Sequence, residues 1–436
     1  MLAALALAIG GCGGDGSGTS PAASTFKVVI ASVPLVSFPR AAASPDGHSW
    51  AVWPEGDDSN QSVVAAEVDE KGSVSRSTLA PSVAGAQLDE QIVMAGTTPV
   101  VVWREYKASG GVKIHAAAYI EGQWNVELTA SAALQADIRL TRLASGELSL
   151  VWVQGDSPGP FQVVAALRGL TGVWSTPVVI RSEPRGTIVW RLNQASDSSG
   201  ASMAIWTESA QLIDSTLPPQ TLWSSRYDSA SGAWGAPTLA DAGQLYYSPG
   251  VASIGNGNWL VAWLSGDSTK VSAVVSKRFL AGTWEVDAGR VDDGQDDHLN
   301  ELALVAENGH AYIAWTGLSA VLSPGSVRAA SFDAIAGHWS PPALIGFAAQ
   351  GYPISLRLQA DGQGTAAATW TISQGPGGPF LASTDSAGAW QAGLQLDPQS
   401  GGFSPDLSFF SANDIVATWY QLAPGGLANI VVRRLP

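Results

Sequence analysis

Ala51-Val52-Trp53 returns seven more times along the chain, as Val101-Val102-Trp103, Leu150-Val151-Trp152, Ala204-Ile205-Trp206, Val261-Ala262-Trp263, Ile313-Ala314-Trp315, Ala368-Thr369-Trp370 and Ala417-Thr418-Trp419. Successive tryptophans lie 50, 49, 54, 57, 52, 55 and 49 residues apart. Between them, apolar runs of strand length alternate with Gly, Asn, Asp and Pro, and no stretch sustains a helical period. A period near fifty with β-type content marks the blades of a β-propeller, whereas helical solenoids repeat at shorter periods with helical patterning. The expected fold is therefore all-β, a propeller of eight four-stranded blades.

Each repeat divides into four strands. The first ends in a tight turn such as Pro45-Asp46-Gly47, Gly255-Asn256-Gly257 or Asp361-Gly362, where Gly and Asn supply the positive φ angles that a short hairpin needs. The second carries the repeat tryptophan. A third strand follows a variable loop, and a second hairpin leads into another indole, at Trp124, Trp174, Trp234, Trp284, Trp339 and Trp390. Blades stacked around an axis diverge outward, so large rings are needed to fill the gap. Each buries on the order of 200 Å², a contribution of several kcal/mol at about 25 cal/mol per Å². The last repeat supplies three strands only, and Phe26-Lys27-Val28-Val29-Ile30 precedes the first inner strand. That N-terminal strand is expected to close the last blade and so remove an exposed edge. One propeller domain then spans 26–436.

Composition narrows the partners. Charged residues make up 14% of the 436, and the net charge is −15. No cluster of Lys and Arg offers the counterion release that nucleic-acid binding requires, which excludes that class. The one cysteine allows no intrachain disulfide. It follows an apolar run, Leu2 to Ile9, and Gly10-Gly11, which resembles the lipobox of bacterial lipoproteins. The resemblance implies a signal segment at 1–11, acylation of Cys12, and a flexible Gly- and Ser-rich tether at 12–25. The chain would then be held at the bacterial cell envelope, with Gly13 after the cysteine favouring the outer membrane. A closed ring is expected to act as a monomer.

The hairpins Asp228 to Trp234, Asp333 to Trp339 and Asp385 to Trp390 are similar to the Asp-box turn of sialidase-like propellers. That resemblance implies the fold, since such turns stand away from active sites. Sialidases also carry an arginine in the first inner strand, and here Phe38-Pro39-Arg40 has Arg and Pro in reversed order. By the same resemblance, Arg40, Arg191 and Arg357 would form a carboxylate-binding trio, with Tyr246 or Tyr352 beside a glutamate as nucleophile.

Without that comparison, the starts of the inner strands place Arg40, Glu90, Asp137, Arg139, Arg191, Glu301, Arg357 and Asp406 around one channel mouth. Among them Arg40, Glu90, Arg191, Glu301 and Asp406 are the catalytic candidates, because carboxylates held close together separate their pKa values into an acid and a base. The same residues can equally line a wet channel and pair with one another. Loops on that face, including Glu55 to Asp58, Arg104 to Lys107, Glu183 to Arg185, Tyr246-Tyr247, Asp292 to His298 and Gly351-Tyr352, are the candidate ligand surface. Asp292, Asp293, Asp296 and Asp297 form one cluster dense enough for calcium; no other cofactor is implied. Gly155-Asp156-Ser157-Pro158-Gly159 matches a serine-hydrolase pattern, but that motif needs a strand-to-helix elbow. Two readings result. One is a non-catalytic binding or scaffold protein that engages an envelope protein or glycan. The other is a glycan-active enzyme, a sialidase-like hydrolase or a lyase, with its site at the channel mouth.

Overall fold

The computed structural model describes residues 25–435, apart from 34–37, 58–59, 108–110, 133–136, 156–158, 211–217, 268–269, 308, 319–323, 374–376, 386, 399–400, 412–413 and 426, and apart from the side chains of 81–88. Cys12, with the signal segment and most of the tether, lies outside the described residues, as do Asp58 and the centre of the Gly155 to Gly159 motif. No helix occurs among the described residues.

The strands form antiparallel units of one design. Ile138–Arg142, Leu148–Gly155, Phe161–Arg168 and Val178–Glu183 pair in that order. Elsewhere the outer strand of one unit runs without a break into the inner strand of the next, as in Val74–Ala95 and Thr238–Gly255. The inner strands are Arg40–Ala43, the second half of Val74–Ala95, Ile138–Arg142, Thr187–Ser196, the second half of Thr238–Gly255, His298–Glu307, Pro353–Ala360 and Gly402–Ser411. They touch one another in that sequence, and Gly402–Ser411 touches Arg40–Ala43. The array is therefore closed, a β-propeller. Phe26–Val33 pairs with Leu427–Leu435 and completes the sheet built from Gly402–Ser411 and Asp414–Ala423. The strand reaches three residues beyond the apolar run that suggested it.

The repeat tryptophans are the core. Trp53, Trp103, Trp152, Trp206, Trp263, Trp315, Trp370 and Trp419 are each at most 1% exposed. The second set of indoles is half-buried and ties neighbouring blades together. The indole N–H of Trp124 donates to Ser77 Oγ (2.8 Å), that of Trp174 to Glu127 (3.0 Å), that of Trp284 to Ser224 Oγ (3.1 Å) and that of Trp339 to Ser276 Oγ (2.9 Å). Each acceptor belongs to the preceding unit. The rings of Trp124, Trp234, Trp284 and Trp339 also pack on an aromatic side chain of their own third strand, with Phe332 and Trp339 centroids 5.1 Å apart and edge-on. These indoles are committed to packing between blades.

Candidate functional site

An inner strand has a ladder partner on one side only. On the axial side its N–H and C=O groups would be left without partners, a costly arrangement unless side chains supply them. Here side chains of one unit serve the strand edge of the next. Asp406 accepts from Ala41 N (2.9 Å), and Ser408 Oγ accepts from Ala43 N (3.0 Å). Arg40 Nε donates to Glu90 O (3.3 Å). The Gln91 amide donates to Ile138 O and accepts from Leu140 N (2.9 Å). Asn193 donates to Pro249 O (3.2 Å). Glu301 takes both Ser355 N (3.1 Å) and Leu356 N (2.7 Å), one on each carboxylate oxygen. The polar residues of the inner strands are thus used first to join the ring around its circumference.

The strand register defines one level of the channel. Arg40, Arg139, Arg357 and Asp406 each stand opposite the residue just before a repeat tryptophan, as do Gln91, Asn193 and Gly250. Just before that level, five strands contain a bulge in which the register slips and a non-glycine residue takes a positive φ: Asp89 (56°), Arg191 (53°), Ser248 (47°), Ser355 (58°) and Ser404 (50°). Two residues then oppose one, and the strand bends locally.

The electrostatics follow from this crowding. The like charge of Arg40, then burial, pushes the Arg357 guanidinium down to about 10, with Arg139 acting in the same direction and Asp406 and Glu301 against it. Arg357 Nε lies 4.0 Å from Asp406 Oδ1, and Arg139 lies 3.7 Å from Asp137. The side chains of Arg139 and Arg357 remain 32% and 40% exposed, whereas the carboxylate of Asp406 is buried. Arg191 stands apart from these cations. It lies 5.0 Å over the Tyr247 ring, with Asp137 as its anionic neighbour, and burial lowers its pKa. The arginines that act on one another here are therefore Arg40 and Arg139, each through Arg357, with Arg139 in the place expected for Arg191.

Glu90 is 4% exposed, and its Oε1 has no hydrogen-bond partner among the described residues. Burial, partly opposed by Arg40 and Arg104, lifts its carboxyl from 4.5 to about 8. A carboxyl whose folded pKa exceeds its unfolded one contributes stability that is complete at low pH and declines as pH rises through that interval. Each pH unit between about 4.5 and 8 is therefore expected to cost up to about 1.4 kcal/mol. Glu90→Gln should flatten the profile, with a higher melting temperature than the parent at pH 8.5 and near-equality at pH 4.5. Thermal denaturation across that range checks it.

Several expected site residues sit differently from their reading in the sequence. Tyr246 is fully buried within Thr238–Gly255 and donates to Asp241 (2.8 Å), which also holds Lys277 (3.1 Å). It is a core residue between blades and cannot reach a ligand. Tyr352 lies beside the mouth, just before Pro353–Ala360. The four aspartates of the acidic loop are each engaged by a cation. Asp292 takes Arg290 (2.6 Å) and Val274 N (2.7 Å), Asp296 takes Ser326 Oγ (2.6 Å) and Arg328 (3.2 Å), Asp293 faces Arg328 (3.5 Å), and Asp297 faces Lys270 (3.4 Å). Among the described residues no three potential ligating side chains are grouped to hold a metal ion.

The signal that finds the mouth level is a fixed offset. Arg40, Arg139, Asn193, Gly250, Arg357 and Asp406 each lie thirteen residues before their repeat tryptophan. A wide cavity of about 680 Å³ continues the channel towards the hairpin face, lined by Leu140, Asn193, Val251, Leu304 and Gln359 among others.

No protein-family model matches the sequence, and no curated protein sequence matches it. Solved structures do. A prolyl endopeptidase is 12% identical over 89% of this chain, which spans 54% of that protein, with a TM-score of 0.51. The polysaccharide lyase Uly1 is 11% identical over 89% of this chain and 88% of its own, with a TM-score of 0.50. The NanB sialidase of Streptococcus pneumoniae is 10% identical over 94% of both chains, with a TM-score of 0.41. At these identities the likeness concerns the fold alone.

Proposed function

We propose that the chain is an eight-bladed binding propeller, anchored at the cell envelope through acylated Cys12, that holds an anionic group of an envelope glycan or protein at Arg40, Arg139 and Arg357. One observation carries this reading. At the mouth Asp406 and Glu301 are occupied by backbone N–H groups of neighbouring blades, while the Arg139 and Arg357 guanidiniums stay partly exposed. Guanidiniums beside carboxylates that are already engaged by backbone favour charge-assisted binding over proton transfer. The net charge of −15 gives the rest of the molecule the opposite sign, so selectivity for an anion rests on this one local site.

A second reading, a glycan hydrolase or lyase, has Glu90 in its favour. Its carboxyl keeps a proton near neutral pH and lies in the field of Arg40, as a general acid requires. Glycan-array binding, run beside hydrolysis and elimination assays on the chain from Ser24 onward, separates the two. Uronate- or sulfate-bearing glycans are expected to bind. Arg357→Ala and Arg139→Ala should each weaken binding at least tenfold, a loss of about 1.4 kcal/mol, while Glu301→Gln and Glu90→Gln retain it. Turnover that Glu90→Gln abolishes would replace the binding reading with the enzymatic one.

A further inference from the structure

We infer that the hairpin face of the ring, opposite the arginine mouth, seats on a lipid bilayer through Leu170, Val173 and Ile335. This rests on the proposed acylation of Cys12 and concerns which way the ring faces.

Strand alternation sorts the two faces. Inner strands begin at the mouth and end in hairpins such as Pro45-Asp46-Gly47, and third strands likewise begin at the mouth and end in the outer hairpins. Both hairpin sets therefore share the far face. Contacts between them agree. Arg434 donates to Gly47 O (3.2 Å), Leu170 packs against Gly146, and Phe26 packs against Gly72. Phe26 pairs with Arg434 at the end of the last strand, and Val33 pairs with Ala428 at its start. The chain before Phe26 therefore leaves the ring on the hairpin face. Thirteen residues lie between Cys12 and Phe26, a reach of at most about 50 Å when extended and on the order of 20 Å when relaxed. An acyl group on Cys12 puts the bilayer on that side.

The same face carries apolar side chains with nothing over them. Leu170 is 72% exposed, Val173 69%, and Ile335 fully. Leu170 and Val173 belong to the third unit, Ile335 to the sixth, and Phe26 to the last, so the three contacts are spread around the rim. The Ile335 tip is held rigidly, since Asp333 accepts Ile335 N (2.8 Å) and Ala336 N (2.9 Å). Phe38 and Leu422 are also exposed, at the mouth, so apolarity alone does not choose a face. The exit of the chain at Phe26 does. Turn carboxylates such as Asp228 and Asp333 stay ionised beside the tips, their pKa values lowered by the hydrogen bonds they accept. Anionic headgroups should therefore weaken the seating and zwitterionic ones should not.

The test uses the full acylated chain in phosphatidylcholine vesicles that contain doxyl-labelled lipid, with a fluorophore on Ile335→Cys, Leu170→Cys or, as an equally apolar control, Phe38→Cys. Mass measurement of the N-terminal fragment establishes acylation separately. Severalfold stronger quenching at 335 and 170 than at 38, reduced by adding phosphatidylglycerol, is the expected result. An acylated chain with equal quenching at all three positions, or with none, overturns the seating and leaves the anchor standing. An unmodified Cys12 removes the anchor and the seating together.

Discussion

A chain without Phe26–Val33 is expected to lose its folded ring. The strand pairs along the whole outer edge of Leu427–Leu435, from Phe26 opposite Arg434 to Val33 opposite Ala428. Its buried side chains Ile30, Ala31 and Val33 belong to the cluster that encloses Trp53, Ala428 and Ile430. Fully burying each of the two larger ones is worth roughly 1.5–3 kcal/mol, a large share of the 5–15 kcal/mol that a folded domain commonly holds. Deletion also bares a long apolar edge strand, and such an edge pairs with other chains. Size-exclusion chromatography should show larger species than the parent chain or precipitate, and a synthetic 26–33 peptide added during refolding should restore the parent's elution. The parent's elution with an unchanged melting temperature would show that the ring does not depend on this closure.

Trp263→Ala should destabilise the protein by about 3–5 kcal/mol. The ring is fully buried, lies 5.4 Å from Tyr246 in an edge contact, and packs among Met203, Ile205 and Val261. Its indole N–H has no hydrogen-bond partner among the described residues, so the loss is one of packing and cavity formation. Trp284→Ala should cost roughly half as much, because that ring is half-buried and contributes one hydrogen bond across the blades, worth about 1 kcal/mol. Urea titration of the two variants measures the difference. Equal losses would mean that both tryptophan sets fill space in the same way.

The fold was legible because a propeller repeats its largest residues at a spacing set by four strands and their turns. Closure by the N-terminus was legible because the last repeat is one strand short. The mouth was read less completely, and the reason is local. The thirteen-residue offset puts Asn193 on the level, and Arg191 falls in the bulge that precedes it. In the second unit the hairpin is tighter, with Ala95 opposite Thr98, so Gln91 takes the level and Glu90 falls in the bulge before it. Arg139 stands in a strand with no break in register and falls at the mouth directly. A two-for-one bulge leaves no mark in composition or period, since it depends on a single backbone dihedral. Tyr246 was misread for a related reason. Its strand runs on from the preceding blade without a loop, and an aromatic pair there looks like a surface turn when only the repeat is considered.

The closing strand also determines how the molecule answers a mechanical load. Tension on the segment before Phe26 acts along the axis of Phe26–Val33, at right angles to the hydrogen bonds that join it to Leu427–Leu435. Those bonds are strained together in shear and cannot be peeled one after another. Were the ring held through that segment, it would be gripped at its seam, and the pull would be resisted by the whole length of the clasp.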